Sequence, residues 1–195
     1  MALSTAQRKT VLNHLGFRTN TNSRYIQAIK DFQRGWNLGA ALTVDGKPGP
    51  KTDAALATSE SRRRKKLGTA STHFSFVEFQ CKCGGRYSGC RRVWVSRTLL
   101  QRLERYRAAT KRSLKVVSGC RCVGHNKAVG GASRSQHMNG YAADILYYSG
   151  WTATKVARLK LFSGIGKSRS TNLVRHVDIR TNASTSHPTV WNYAS

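Results

Sequence analysis

Two short stretches of the sequence carry side chains that bind zinc in proteins. Residues 135–144 fit the pattern S-x-H-x-x-G-x-A-x-D at all five specified positions and supply His137 and Asp144. A later stretch, HVD, supplies His176 and Asp178. Two imidazoles and one carboxylate leave the fourth position of a tetrahedral zinc open for water, which a catalytic zinc requires. The sequence therefore predicts a catalytic zinc ion bound by His137, Asp144 and His176.

The scarcity of acidic residues supports a specific task for these carboxylates. The chain has 34 Lys+Arg but only 8 Asp+Glu, and Asp144 and Asp178 are the only acids beyond Glu104. The alternative is that each His and Asp is an ordinary hydrogen-bonded polar residue, because short motifs also occur by chance. Two such stretches within one acid-poor segment favour the zinc site.

The fold must bring these residues together from distant parts of the chain. His137 and Asp144 are joined by a loop in which Gly140 permits a tight bend. His176 must arrive from a later strand, where it and Asp178 lie two residues apart and so face the same side of the sheet. Asp178 could then act as the general base that takes a proton from water, or it could orient a zinc ligand.

The composition limits the class of partner. A net charge of +26 and a pI near 11.0 predict binding to an anionic polymer, and nucleic acid and bacterial cell wall both qualify. The N-terminal residues contain no apolar run of the kind that forms a signal peptide. No segment is apolar for long enough to span a bilayer, so we expect no membrane insertion.

The cysteines are confined to the middle third of the chain. An odd number argues against a fully paired disulfide framework. Their clustering permits a disulfide or a second, structural zinc ion, although the two C-x-C spacings are tighter than the usual C-x-x-C. The five cysteines are Cys81, Cys83, Cys90, Cys120 and Cys122.

Residues 1–60 are predicted to form three short helices. Ser4 and Gln7 match a capping box at the start of the first helix, and Pro50 suits the first turn of the third. The run of five cations that begins at Arg62 predicts a solvated linker over residues 61–71.

Residues 72–195 alternate helices with short strands. Gly164-Ile165-Gly166 is expected to form a turn before the last strand, Leu173–Arg180. This order predicts an α+β domain with a small antiparallel sheet.

Taken together, the motifs resemble the M15-type zinc peptidases. This family includes D-Ala-D-Ala carboxypeptidases and phage endopeptidases that cut the stem peptides of peptidoglycan. The resemblance implies hydrolysis of a peptide bond by a zinc-activated water, without a protein nucleophile. Besides the two histidine stretches it covers FVEFQCKCGG at 76–85, SGCRC at 118–122, His125-Asn126 and VGGA at 129–132.

The resemblance also implies roles for residues outside the zinc set. Arg121 lies where the family has an arginine that holds the substrate carboxylate, and a guanidinium suits that bidentate pairing; the alternative is one more surface cation. Ser135 is expected to bind substrate or a neighbouring site residue through a hydrogen bond. His125 is expected either to stabilise the oxyanion or to cap a loop.

The sequence departs from the carboxypeptidase branch at the position of the general base. That branch often places a catalytic acid three residues before the last zinc ligand, and this chain has Leu173 there. Asp178 is therefore predicted to be the base, with Glu78 or Glu104 as alternatives.

Residues 1–60 resemble the small three-helix peptidoglycan-binding domain found beside many wall hydrolases. The matching segments are IKDFQ at 29–33 and VDGKPGPKT at 44–52, of which D-G-x-x-G-P-x-T is the specific part. A plain helical bundle with a Gly- and Pro-rich turn is the alternative. Contact of this loop with carbohydrate or stem peptide is implied by the resemblance alone.

These observations predict a monomeric peptidoglycan hydrolase of the phage endolysin type. We expect it to wait in the host cytoplasm until a holin opens the membrane, and then to bind peptidoglycan and the anionic wall, with no specific nucleic acid. One alternative is a basic nucleic-acid-binding protein, which accounts for the charge but not for the histidine motifs. Another is a wall-binding pseudoenzyme with a structural zinc.

Overall fold

The computed structural model describes residues 2–88, 90–146 and 149–193. Two 3-10 helices, Phe76–Phe79 and Gln136–Asn139, add to the longer elements. The α-helices are α1 Thr5–His14, α2 Asn22–Gly35, α3 Pro50–Arg64, α4 Arg97–Thr110, α5 Val123–Ala128 and α6 Ala153–Arg158. The strands are β1 Val116–Ser118, β2 Ala142–Ile145, β3 Gly164–Lys167, β4 Val174–Asp178 and β5 Thr189–Asn192.

The five strands form one sheet in the order β1-β2-β4-β3-β5. The first three pairings in this order are antiparallel, whereas β3 and β5 are parallel. The predicted α+β class is confirmed, but the sheet is mixed rather than purely antiparallel. The loop after β4 carries the chain back along the sheet, so that β5 runs in the direction of β3.

The segment Gly164-Ile165-Gly166 is part of strand β3, not the turn that the sequence predicts. Two glycines so close together are typical of a turn. Here they serve a different purpose, because β3 lies between β4 and β5 and its glycines face bulky side chains from both neighbours.

The first and third N-terminal helices begin where the sequence predicts. The side chain of Ser4 accepts from the backbone N–H of Gln7, and the Gln7 side chain accepts from the backbone of Ser4, which completes the capping box. Pro50 occupies the first turn of α3. The cap of α2 is Thr21, whose hydroxyl accepts from the N–H of Arg24.

The N-terminal helices and the sheet domain share one hydrophobic core. The ring of Phe76 lies 5.1 Å from that of Phe17 and 5.3 Å from that of Phe32, between centroids. Gly35 allows this contact, since a Cβ there would lie 2.8 Å from the Phe76 ring. The helices therefore pack directly against the rest of the molecule.

The segment 61–71, expected to be a solvated linker, is largely ordered by its neighbours. Helix α3 continues to Arg64, and Glu60 pairs with Arg63 and Arg64 on its surface. Ser71 is fully buried and donates to Glu104. Intrahelical ion pairs and backbone burial thus give structure to a run of cations. The predicted domain boundaries themselves stay a prediction.

Within the described ranges, none of the helices has the length and apolar character that crossing a bilayer would demand.

Candidate active site

His137 lies in the 3-10 helix Gln136–Asn139, which ends at Gly140 in the left-handed region (φ 65°). The His137 side chain is almost completely buried. Its Nδ1 lies 2.6 Å from the carbonyl oxygen of Gly119. Because a carbonyl can only accept, Nδ1 carries the proton and the lone pair of Nε2 points into the site.

Asp144 and His176 are brought together by strand pairing. They are direct partners in the antiparallel register of β2 and β4. Oδ1 of Asp144 lies 2.9 Å from Nδ1 of His176 and 3.2 Å from Nε2 of His137. The two facing imidazole nitrogens are themselves 3.1 Å apart. The structure thus brings together all three residues that the sequence predicts as zinc ligands.

Asp178 lies behind His176 and is fully buried. Its Oδ2 is 3.1 Å from Nε2 of His176, so the two residues share a face of β4. Arg180 holds the same carboxylate at both oxygens, with Nε donating to Oδ1 at 2.9 Å and Nη2 to Oδ2 at 2.6 Å. With Nε2–H donated to Asp178, His176 presents the lone pair of Nδ1 to His137 and Asp144.

The pKa values of the two histidines are shifted in opposite directions. Burial lowers the pKa of His137, which favours the neutral ring. Burial also opposes protonation of His176, but its hydrogen bonds with Asp144 and Asp178 outweigh burial and raise its pKa. Burial acts to raise the pKa of both carboxyls, yet their hydrogen bonds hold each pKa well below its usual range. Both aspartates are therefore ionised at neutral pH.

Two glycines of β3 make room for this cluster. A Cβ at Gly164 would overlap the carboxylate of Asp178. A Cβ at Gly166 would lie 2.9 Å from the Cβ of His176 and 2.8 Å from the ring of Tyr193. Any larger residue at either position would displace side chains of this cluster.

Arg121 lies beside the cluster. Its Nη2 donates to Oδ2 of Asp144 and, at 3.3 Å, to the hydroxyl of Tyr193, while Nε donates to the Ser118 hydroxyl at 3.3 Å. Its Nη1 makes no hydrogen bond to any of the described residues. The structure therefore places this cation next to the three candidate ligands, with one nitrogen able to bind a further anion.

An aromatic wall, formed by Trp191 and Tyr193, covers the outer side of His176. The Tyr193 ring stacks on the His176 ring at 5.0 Å, and the Trp191 ring meets it edge-on at 5.2 Å. Arg180 lies over Trp191, with its guanidinium carbon 4.5 Å from the ring centre. Burial raises the pKa of Tyr193 to about 12, so its hydroxyl stays protonated. Neither aromatic is predicted from the sequence, because only the pairing of β5 with β3 brings them to β4.

Among the described residues, no hydrogen bond joins the side chain of Ser135 or His125 to the cluster. Ser135 is the residue before the 3-10 helix of His137, and its backbone carbonyl accepts from Met138. His125 belongs to α5, where its backbone N–H donates to the sulfur of Cys122. Their proposed contacts with substrate or oxyanion stay predictions.

The alternative general bases are engaged elsewhere. Glu78 accepts from the backbone N–H of Ser75 at 2.7 Å as part of a capping box. Glu104 accepts from Ser71 and from His73. Among the described residues, Asp144 and Asp178 are the carboxylates within reach of the histidine cluster.

The donor set fits a zinc ion. One atom from each of His137, Asp144 and His176 can be chosen so that all lie within 4.8 Å of one another. The second nitrogen of each histidine is bound to an acceptor, which orients both rings in the manner common for metal ligands. A cation bound between the three groups would be attracted by the lone pairs that converge there, and two imidazoles with one carboxylate match zinc.

The candidate site lies in a part of the chain that matches a known protein family. A family profile described as peptidase M15 matches residues 72–178, more than half of the 195-residue chain. The matched range begins at the predicted start of the second domain and contains the three candidate ligands, Arg121 and Asp178. No curated protein matches the chain.

Proposed function

Because the chain belongs to the peptidase M15 family, we propose that it is a zinc-dependent peptidoglycan hydrolase of the phage endolysin type that cuts a stem or cross-link peptide bond. The observation that carries this proposal is the buried cluster of His137, Asp144 and His176 with Arg121 beside it. In this proposal the protein reaches the wall from the host cytoplasm after a holin opens the membrane.

Zinc bound at the three ligands would polarise the scissile carbonyl and lower the pKa of a bound water towards neutrality. Nε2 of His137, Nδ1 of His176 and a carboxylate oxygen of Asp144 would hold it. The carbonyl of Gly119 and the carboxylate of Asp178 keep the two rings turned towards this point. The sheet register keeps Asp144 opposite His176.

Arg121 is proposed to bind a carboxylate of the substrate. Stem peptides of peptidoglycan carry free carboxylates, and a guanidinium can pair with a carboxylate through two parallel hydrogen bonds. Because Arg121 also touches Asp144, a substrate held by it would lie directly beside the proposed metal.

Asp178 has two predicted tasks, and its contacts support the orienting one. Both of its oxygens are bound by Arg180, one of them also faces His176, and the side chain is fully buried. A general base must reach the water whose proton it takes. The His176 ring lies between Asp178 and the other ligands, so we propose that Asp178 fixes the ring and its protonated nitrogen.

The N-terminal helices are proposed to bind the wall. In the D-G-x-x-G-P-x-T loop, the Asp45 carboxylate accepts from the backbone of Lys47, and the buried Gln33 binds Gly46 and Asp45. These hydrogen bonds hold the loop in its conformation, so the motif residues also stabilise the fold. Lys47 and Lys51 remain exposed on the loop and on the following helix, where they can meet an anionic polymer.

The hydrolase proposal is tested on purified, nucleic-acid-free sacculi. Mass analysis of the released muropeptides should show cleavage of one type of peptide bond, abolished by a chelator and restored by zinc. His176→Ala should release nothing, whereas the matched control His187→Ala, at an exposed histidine, should act normally. A folded, zinc-loaded protein that leaves sacculi intact would contradict the proposal and favour the pseudoenzyme.

Wall binding is tested with the full chain, because the helices share their core with the peptidase domain. Lys47→Glu with Lys51→Glu should reduce sedimentation with sacculi more than the equal charge change Lys115→Glu with Lys155→Glu. DNA binding should be salt-sensitive and indifferent to sequence. Tight binding to one DNA sequence at physiological salt, without affinity for sacculi, would favour a nucleic-acid-binding protein instead.

A further inference from the structure

A second group of potential metal ligands lies outside the histidine cluster. The sulfur atoms of four cysteines all lie within 4.8 Å of one another. All five thiols of the chain are free. The four that converge are Cys81, Cys83, Cys90 and Cys122.

We propose that these four cysteines bind a structural zinc ion. In a tetrahedral site with Zn–S bonds of about 2.3 Å, neighbouring sulfurs are about 3.8 Å apart, which small adjustments of the present cluster provide. Disulfide formation joins thiols two at a time and gives no reason for four sulfurs to converge on one point. A tetrahedral set of four thiolates is typical of zinc.

The fifth cysteine, Cys120, does not belong to this set of converging sulfurs. Cys120 is buried, and its thiol donates to the backbone carbonyl of Arg92 at 3.3 Å. Two residues later, Cys122 faces the cluster. The site therefore uses three cysteines from the loop 81–90 and one from the second C-x-C pair, a division that the spacing alone does not indicate.

Two of the sulfurs accept hydrogen bonds from backbone N–H groups, which would stabilise them as thiolates. The N–H of Cys122 donates to Sγ of Cys81 at 3.3 Å, and the N–H of His125 donates to Sγ of Cys122 at 3.4 Å. Hydrogen bonds to sulfur stabilise metal-bound thiolates and orient them.

The loop between Cys81 and Cys90 needs such an anchor. Residues 82–88 form consecutive turns, and none of them is buried. Gly84, Gly85 and Ser88 adopt positive φ, and the described residues of this segment belong to no helix or strand. An ion bound at both ends of the loop would supply the stability that a hydrophobic core supplies elsewhere.

The proposed ion would also hold a segment of the active site. Residues 119–122 run from the thiol cluster to the histidine cluster: the Gly119 carbonyl binds His137, and the N–H of Arg121 donates to the His137 carbonyl at 3.0 Å. Cys122 follows directly. The catalytic consequence of this link rests on the proposed function, whereas the thiol site itself does not.

The test uses the full chain, purified under reducing conditions and loaded with zinc. We expect about two zinc ions per chain, one from each cluster. Cys90→Ser should retain about one, and the matched control Cys120→Ser should retain both. Cobalt substitution of the unaltered protein should give the sulfur-to-cobalt charge-transfer absorption of a tetrathiolate site. That absorption should persist in His137→Ala and disappear in Cys90→Ser.

A second measurement needs no variant. Titration of the unaltered protein with a mercurial reagent should release about one zinc ion as the cluster thiols react. Absence of both the thiolate absorption and this release would overturn the proposal, as would two disulfides or iron at these cysteines. A thiolate site in a protein that leaves sacculi intact would contradict the hydrolase proposal alone.

Discussion

Asp144 and His176 face each other across two antiparallel strands, with Oδ1 of Asp144 2.9 Å from Nδ1 of His176. The register of β2 and β4 therefore sets the spacing of two proposed zinc ligands. A slip of one residue would move His176 to the opposite face of the sheet and destroy the site. Asp178, which is buried two residues further along β4, accepts a hydrogen bond from the other nitrogen of the His176 ring and so helps to fix its orientation.

Removal of either histidine of the proposed zinc site should remove the proposed catalytic ion. We expect His137→Ala and His176→Ala each to lose about one zinc ion per chain, because a three-ligand site tolerates few deletions. Elemental analysis of dialysed protein measures this, with His187→Ala as the control. If both variants kept the full wild-type zinc content, the histidine cluster would not be the metal site.

Replacement of Asp178 by Asn should separate its two predicted tasks. If Asp178 orients His176, zinc affinity should fall by about 10- to 100-fold, and excess zinc should restore much of the activity. If it is the general base, turnover should fall by about 10² to 10⁴ while zinc affinity is unchanged. We expect the first result. Competition with a chromogenic chelator measures the affinity, and turnover at saturating zinc measures the rate.

Substitution of Gly164 by Ala should destabilise the protein. The added Cβ would overlap the Asp178 carboxylate, which is held by Arg180 and His176 and cannot move freely. Overpacking of this kind typically costs about 1–3 kcal/mol. Denaturant unfolding measures the loss, and Gly39→Ala, whose Cβ would make only ordinary contacts, is the control. Equal stability of the two variants would contradict the close packing of β3 on β4.

Substitution of Arg121 by Lys should weaken substrate binding. Lysine keeps the charge but loses the paired hydrogen bonds to a carboxylate, which are worth about 1.5–3 kcal/mol, or roughly 10- to 150-fold. We expect most of this loss in KM rather than in kcat, because the anchor binds substrate and transition state alike. Steady-state kinetics on stem peptides measure it, and Arg134→Lys is the exposed control. An unchanged kcat/KM would make Arg121 a structural cation only.

Glu60 should contribute stability that depends on pH. Its hydrogen bonds with Arg63 lower its pKa from 4.5 to about 2. A depressed pKa stabilises the folded state above the unfolded value, and this contribution is lost as the pH falls from about 4.5 through about 2. Glu60→Gln should therefore lower the free energy of unfolding by about 1 kcal/mol at pH 7. The difference in the free energy of unfolding between the variant and wild type should vanish near pH 2. Urea unfolding at a series of pH values measures this difference. A difference that does not change with pH would show that the Glu60 carboxylate is not its source.

The sequence by itself determined the chemical types of the site and much of the local structure. The pattern at 135–144 and the HVD stretch named the three candidate ligands, and their spacing placed His176 and Asp178 on one face of a strand. Capping chemistry at Ser4 and Pro50 marked two helix starts correctly. These features depend on residues within a few positions of one another, so a linear pattern contains them.

Only the tertiary structure decided which distant groups meet. The acceptor for His137 is the backbone carbonyl of Gly119, which leaves no side-chain signal in a sequence. Tyr193 reaches His176 only because β5 pairs with β3. Cys122 rather than Cys120 joins the thiol cluster, since the strand end and the turn after it set which way each side chain points. Each of these contacts joins segments far apart in the chain, and their geometry follows from packing and strand register rather than from local preference.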